Sequence, residues 1–552
     1  MFRSAIALIA LLSSSIATAS AQTAPVARVA SPDGSVVVEL STDNDGRPAY
    51  AVSRKGQPVI APSRLGFILL DAPKFERNLV IGNPRTRTAD DRWEQPWGER
   101  RFVRNHYNEL TVTLKEKARP FRSFDVVFRV YDDGLGFRYV FPDQPDLPQV
   151  KISEELTEFT LARDATAWWI PAGEWNREEY LYHRTPVQQV GDAQTPITFK
   201  FDDGTHLSIH EAALIDYSGM NLTRVEGRKL RADLTPGLGE GKVVRNAPFN
   251  TPWRTLQLSD DAAGLAMSSL ILNLNEPNVL GDVSWVKPMK YVGVWWEMHL
   301  ELKTWASGVK HGATNENVRK HIDFAAKHGF GGVLVEGWNV GWDGDWFGNG
   351  EDFSFTQAYP DFDLQALSTY ARSKNVVLIG HHETSGNAAH YETQLGDAFA
   401  LYQRVGVPAV KTGYVADAGQ AKVTGTDGKR HYAWHEGQDM ARHHMKVVTE
   451  AARHRIAVNP HEPIKDTGLR RTYPNWVTRE GARGMEFSAW GQPGNPPEHE
   501  ANLVFTRVLA GPMDYTPGIF DIMVERGTGR PRRPEEARIR TALAPQVGPD
   551  GR

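Results

Sequence analysis

A chain of 552 residues with 63 Lys+Arg against 67 Asp+Glu carries a formal net charge of −4, with both signs interspersed. That balance lacks the basic footprint of a nucleic-acid binder, and no nucleic-acid partner is expected. The complete absence of cysteine excludes a disulfide framework, a thiolate nucleophile and a lipidated cysteine anchor. A 40% hydrophobic share with 10% aromatics is enough to build several large cores.

Residues 1–21 read as a secretory signal. Arg3 supplies the positive start, Ala5 to Leu12 is an unbroken apolar stretch, and Ala19-Ser20-Ala21 gives the small-x-small cleavage pattern before Gln22. The stretch is too short to span a bilayer, and no later segment reaches about 18 apolar residues, so no membrane partner is expected. Export without disulfides suits a periplasmic protein.

Residues 22–285 read as a β-domain. Phe124, Val126, Phe128 and Val130 alternate with Asp125, Val127 and Arg129, the period of a strand. Asp132-Asp133-Gly134 then turns the chain into a second strand from Gly136 to Phe141. Ser35 to Leu40, Leu110 to Leu114, Leu207 to Ala213 and Leu265 to Leu274 are further strand candidates, and a large β-sandwich is their natural packing.

From residue 286 the texture changes to alternating strands and helices. Strands are expected at Tyr291 to Trp296, Gly332 to Val335, Asn375 to Gly380, Val407 to Val415, Arg455 to Val458, Gly484 to Phe487 and Asp514 to Phe520. Between them, Thr314 caps a helix whose face is Val318, Ile322, Ala325 and Ala326, closed by Gly329. Leu364, Leu367 and Tyr370 mark a second helix, Phe399 to Arg404 a short one, and Met440 to Ala452 another. Seven βα units in strict order imply a parallel sheet, and seven of the eight units of a barrel.

Glu383, Glu462, Glu480 and Glu486 lie at or just beyond the ends of such runs. In a parallel barrel those ends open onto one face. Carboxyl groups gathered there suit a glycosidic bond, where one acid protonates the leaving oxygen and a second carboxylate attacks or activates water. Their mutual repulsion also suits a hard cation with oxygen ligands. His381 and His461 beside them could donate to sugar hydroxyls, or serve as ligands of a zinc hydrolase. Trp296, Trp338, Trp342 and Trp346 are candidates to line a sugar pocket.

The chain resembles glycoside hydrolase family 97. The likeness is carried by YVGVWW at 291–296, VEGWN at 335–339, GHHET at 380–384, VKTGY at 410–414, NPHE at 459–462, RTYPN at 471–475, ARGME at 482–486 and GPMDYTPG at 511–518. The resemblance implies an N-terminal β-super-sandwich, a (β/α)8-type barrel and calcium-dependent, exo-acting hydrolysis of α-glycosides. Inverting α-glucosidases and retaining α-galactosidases are its two branches. By the same resemblance Glu486 matches the general acid, and Glu383 with Glu462 the general base. Glu462 and Glu480 match calcium ligands with Glu486 close to the ion, and His381 and His461 match substrate contacts. A further ligand is expected from EYLYHRTP at 179–186, with Glu179 the candidate and Glu178 its neighbouring alternative.

One position separates the branches. A retaining enzyme needs a nucleophilic carboxylate about 5–5.5 Å from the acid. The family's position for it, at the end of the fourth strand, is Gly413 here. Inversion is therefore expected, with Asp417 the one nearby carboxylate that could restore retention. The expected substrate is an α-glucoside oligosaccharide; the alternatives are an α-galactosidase or an inactive carbohydrate-binding relic. The relic reading arises because the likeness fades after Phe520. The expected order is thus a signal at 1–21, a β-sandwich domain at 22–285, a catalytic barrel at 286–524 and a poorly ordered tail at 525–552. That tail stands where the last barrel unit and a C-terminal β-domain would be, and the barrel is expected to be incomplete there. The oligomeric state has no signature in the sequence.

Overall fold

The computed structural model describes residues 27–174, 178–348, 350–487 and 493–515. Residues 1–21 and 525–552, where the signal and the tail are expected, lie outside them, as do 516–520 of the expected seventh strand.

Strand alternation builds the first half. In Val36–Thr42 the buried Val36, Val38 and Leu40 alternate with half-buried Val37, Glu39 and Ser41. Among the described residues this half forms antiparallel sheets of seven, eleven and three strands. The two larger sheets face each other across one core, where Tyr50 meets Phe137 at 4.9 Å between ring centroids, and the three-stranded sheet joins the same core through Phe67, 4.7 Å from Tyr139. Aromatic pairs of this kind add packing energy beyond the area they bury.

Leu265 to Leu274 is not a strand. It folds as two short helices, Ala262–Met267 and Leu270–Asn273. The Asp261 side chain accepts from the Gly264 N–H at 2.7 Å and caps the first. The run Ala262 to Met267 holds no β-branched residue to favour an extended chain.

Among the described residues the second half is built on a parallel sheet of five strands in sequential order: Tyr291–Val294, Gly332–Val335, Val377–Glu383, Ala409–Gly413 and Ala457–Pro460. Helix Asn315–His328 starts at Thr314, whose side chain accepts from the Asn317 N–H, and ends at left-handed Gly329. The short helix expected at Phe399 to Arg404 is the end of an 18-residue helix, Ala388–Val405. Its buried Ala388, Tyr391, Leu395, Ala398 and Tyr402 keep helical spacing, but polar neighbours dilute the stripe in its first half.

Gly484 to Phe487 is also not a strand: the chain turns at Met485 and Glu486. The sixth position of the sheet falls instead on 475–480. Val458 donates to the Asn475 carbonyl at 2.7 Å, Val477 to Val458 at 3.2 Å, and Glu480 to Pro460 at 3.0 Å. Asp514 in turn donates to the Arg479 carbonyl at 2.8 Å, which sets Met513 and Asp514 in the seventh position. These stretches are too short and too charged to show strand alternation in the sequence.

The sandwich buttresses the loop that follows Glu462. His210 Nε2 lies 2.7 Å from the Asp466 carbonyl, and Lys465 Nζ donates to the Met220 carbonyl at 2.7 Å. Behind them Arg254, fully buried, donates to Glu155 at 2.8 and 2.6 Å and to Glu211 at 2.6 Å. Removing Glu155 strips the buried Arg254 of two of its three carboxylate bonds and leaves only Glu211 against its charge. Glu155→Ala should therefore destabilise the fold by about 3–5 kcal/mol, read as a lowered denaturant midpoint.

Candidate active site

Register brings the site together. In the parallel pairing His381 stands beside Lys411, Lys411 beside Asn459, and Glu383 beside Gly413. Leu334 pairs with Ile379, so Glu336, two residues on, comes level with His381. Side chains two apart share a face, so alternate rows point into the barrel mouth.

The lower row is an ion-paired cluster. Lys411 Nζ donates to Glu336 Oε1 at 2.9 Å, and Trp305 Nε1 donates to Glu336 Oε2 at 2.9 Å. His381 Nε2 lies 3.8 Å from the same carboxylate. Burial works against the charge on Glu336, but Lys411 and then His381 outweigh it and hold the carboxyl far below its usual range. Burial pushes His381 down to about 3 and keeps it neutral, while Trp342 stacks on its ring at 5.8 Å. Glu336 and Lys411 were not picked out from the sequence as site residues. The signal was available: Glu336 ends its strand just as Glu383 ends the next.

The upper row holds the remaining carboxylates. Glu383 Oε1 accepts from the main-chain N–H groups of Ser385 at 2.7 Å and Val415 at 3.2 Å. Burial, and then repulsion from Glu462, raises it to about 8. Glu462 sits in a left-handed backbone conformation, φ 45°, an unfavourable geometry for a residue with a side chain. Its Oε2 accepts from the Tyr414 N–H at 3.0 Å, and its own N–H donates to Glu480 Oε2 at 3.3 Å. Burial and the charge on Glu480 raise Glu462 as well. Glu486 accepts from Trp295 Nε1 at 3.2 Å, and burial, followed by Glu480, raises it to about 7.

His461 is fixed on both sides, its Nδ1 3.2 Å from Glu480 and its Nε2 2.7 Å from Asp514. Burial opposes its charge, but Glu480 and Asp514 prevail and lift it to about 10. Asp514 also accepts from Asn459 Nδ2 at 2.6 Å and from the Tyr291 hydroxyl, so it links the seventh position to the first strand.

Glu179, Glu480 and Glu486 each present an oxygen within 4.8 Å of the others. An all-oxygen set with no histidine fits a hard cation such as calcium and not zinc. Glu462 does not join this group; its carboxylate is turned to Tyr414. Glu178 lies apart from it, 3.7 Å from Arg507 in the interior. Trp338 is withdrawn from the site too: its Nε1 donates to the His381 carbonyl at 2.8 Å, and its ring packs on Phe362 and Tyr402 behind the sheet. Trp296 and Trp342 are buried as well, and Trp342 packs between Trp346 and His381.

A parallel-barrel mouth crowded with carboxyl groups, backed by a β-sandwich that lends one of them, has the build of a glycoside hydrolase. The family description "Glycosyl-hydrolase 97 N-terminal" matches residues 29–277, and "Glycoside hydrolase 97" matches residues 295–482. The chain belongs to glycoside hydrolase family 97. A family 97 enzyme from Pseudoalteromonas sp. strain K8, solved in complex with acarbose, superposes with a TM-score of 0.88 at 52% identity, over 92% of this chain and 77% of its own. A variant from the same strain in complex with panose gives the same values. The retaining alpha-galactosidase of Bacteroides thetaiotaomicron is 25% identical, over 89% of this chain and 72% of its own length.

Proposed function

We propose that this glycosidase removes α-linked glucose from the ends of oligosaccharides with inversion and depends on calcium. Gly413 carries the reading. A Cβ added there would lie 1.9 Å from Glu383 Oε2, so the space a nucleophilic side chain would need is taken up by the Glu383 carboxylate. An Asp at 413 and Glu383 in its present place exclude each other. With no nucleophile at that position, Glu383 and Glu462 hold a water for attack at the anomeric carbon, and Glu486 protonates the departing oxygen. The raised values of Glu486 and Glu383 suit groups that carry and take a proton near neutral pH. Glu336, Lys411 and His381 form the polar floor that orients the sugar.

Calcium would be held by Glu179, Glu480 and Glu486, with Glu462 adjacent; when bound it offsets the mutual repulsion of these carboxylates. The Pseudoalteromonas complexes with acarbose and panose support an oligosaccharide substrate. The name of the Bacteroides relative favours the second reading, a retaining α-galactosidase. That reading requires a nucleophile that Gly413 cannot supply. The signal-like residues 1–21 support export to the periplasm.

Proton NMR of the wild-type reaction on an α-glucoside should show β-glucose first, and initial α-glucose would reject Glu383 as a base. Chelation should abolish turnover of the same substrate, and added calcium should restore it. Turnover that survives chelation would remove the cation from the mechanism.

A further inference from the structure

Behind Glu383 and Glu462 runs a chain of hydrogen bonds that is buried at Tyr414 and His443 and reaches the surface at Glu392 and Lys446. Consecutive main-chain N–H groups, of Tyr414 and Val415, are the donors that grip Glu462 and Glu383. Whatever places this amide pair therefore places both carboxylates. On one side the Gly413 carbonyl accepts from the Thr384 N–H at 3.0 Å and from Thr384 Oγ1 at 2.7 Å. On the other side the Tyr414 carbonyl lies 2.9 Å from His435 Nε2.

The Tyr414 side chain turns away from the mouth into the helix layer. Its hydroxyl is 3.0 Å from His443 Nε2, and His443 Nδ1 is 2.8 Å from Glu392 Oε1. The carboxylate must accept, so Nδ1 carries a proton, and in the neutral ring Nε2 accepts from the tyrosine hydroxyl. Lys446 Nζ donates to the second Glu392 oxygen at 2.6 Å. Tyr414 and His443 are 0% and 1% exposed. Burying the Tyr414 hydroxyl and the His443 ring costs desolvation that an apolar filling would not. In return it fixes one orientation through directional bonds on helices Ala388–Val405 and Gln438–Arg453.

We infer that Glu392, His443 and Tyr414 are positioning residues, which hold the Tyr414–Val415 amide pair so that Glu383 and Glu462 are aimed at the attacking water. This rests on the reading of those two glutamates as the base. Tyr414→Phe removes a single oxygen and keeps the ring, and His443→Gln tests the next link. Both are compared with wild type and with Glu383→Ala, as full-length calcium-loaded protein, on the aryl α-glycoside that wild type turns over best.

Azide makes the test specific. It attacks the anomeric carbon without giving up a proton: a C–N bond forms opposite the leaving group, the C–O bond breaks, and the phenol leaves with the proton of Glu486. A misaimed base is bypassed by this route, whereas a damaged fold is not. Tyr414→Phe should lower kcat about tenfold with KM within about twofold, and azide should recover much of the loss as the β-glycosyl azide. A kcat equal to that of wild type, or a loss that azide leaves unchanged while the melting temperature falls, would overturn the inference. If His443→Gln does not fold, Tyr414→Phe decides alone. If azide fails to rescue Glu383→Ala as well, the base assignment itself falls, and the inference with it. Rescue of Glu383→Ala but not of Tyr414→Phe rejects the positioning role only.

Discussion

Glu486→Gln is expected to lower kcat on an α-glucoside oligosaccharide by about 10³-fold, the loss of a general acid. That is a barrier increase of about 4 kcal/mol. The substitution keeps the shape of the side chain and an oxygen able to accept from Trp295 Nε1, 3.2 Å away in the wild type. What it removes is the proton. An amide of the same shape has none to give. The leaving group provides the control. On α-glucosyl fluoride, whose departure needs little protonation, the deficit should shrink to about tenfold or less. Equal deficits on both substrates would mean that Glu486 serves the site through its charge or the cation alone. The pH profile should change too: the limb that falls as the acid loses its proton should vanish in the variant.

How much of this was legible in the sequence depends on what held each element in place. Sandwich strands such as Val36–Thr42 and Ser123–Tyr131, and the five sheet strands, have apolar runs of the right length that show in the sequence, whereas Arg85–Glu94, exposed along most of its length, offers no such run. Leu265 to Leu274 misled because a short apolar run fits a strand and a buried helix equally well, and the Asp261 cap decides between them. The sixth and seventh barrel positions carry Glu480 and Asp514, whose charge belongs to the site, and Arg479, whose guanidinium holds the Ile464 and Lys465 carbonyls. There a functional demand overrode the pattern that identifies strands. The glutamates at strand ends were readable as a converging set. Glu179 was not, because only a likeness to a known family could bring a residue of the sandwich to the barrel mouth.

The relay behind Tyr414 was illegible for a different reason. Glu392 and His443 lie on two helices and meet only across the packed layer behind the sheet. Histidine and glutamate on a helix face read as solvated side chains until tertiary contact pairs them, with His443 buried and Glu392 half-buried. The interior charges Arg254, Glu155 and Glu211 hid in the same way. Both networks brace main chain that carries site carboxylates, one below the Glu462 loop and one behind the Glu383 strand end.

Gly413→Ala is the sharpest test of that arrangement, because it adds one methyl group where the structure has no room. Gly413 is outside the left-handed region, so alanine meets no backbone strain there, and the only conflict is steric. The new Cβ would lie 1.9 Å from Glu383 Oε2 and 2.9 Å from its Cδ. Glu383 must move, and its two amide donors, Ser385 and Val415, can no longer hold it where it stands. Displacing a reacting group by about 1 Å costs on the order of 10²-fold in rate, so kcat should fall by about that factor. KM should stay within about twofold, because Glu336, Lys411 and His381 lie one row lower and are untouched by the methyl. Azide should bypass the defect, as it would in Glu383→Ala. A fully active Gly413→Ala would show that the Glu383 carboxylate does not work from its present position. The argument for inversion, which rests on the exclusion between residue 413 and Glu383, would then have to be rebuilt on Glu462 alone.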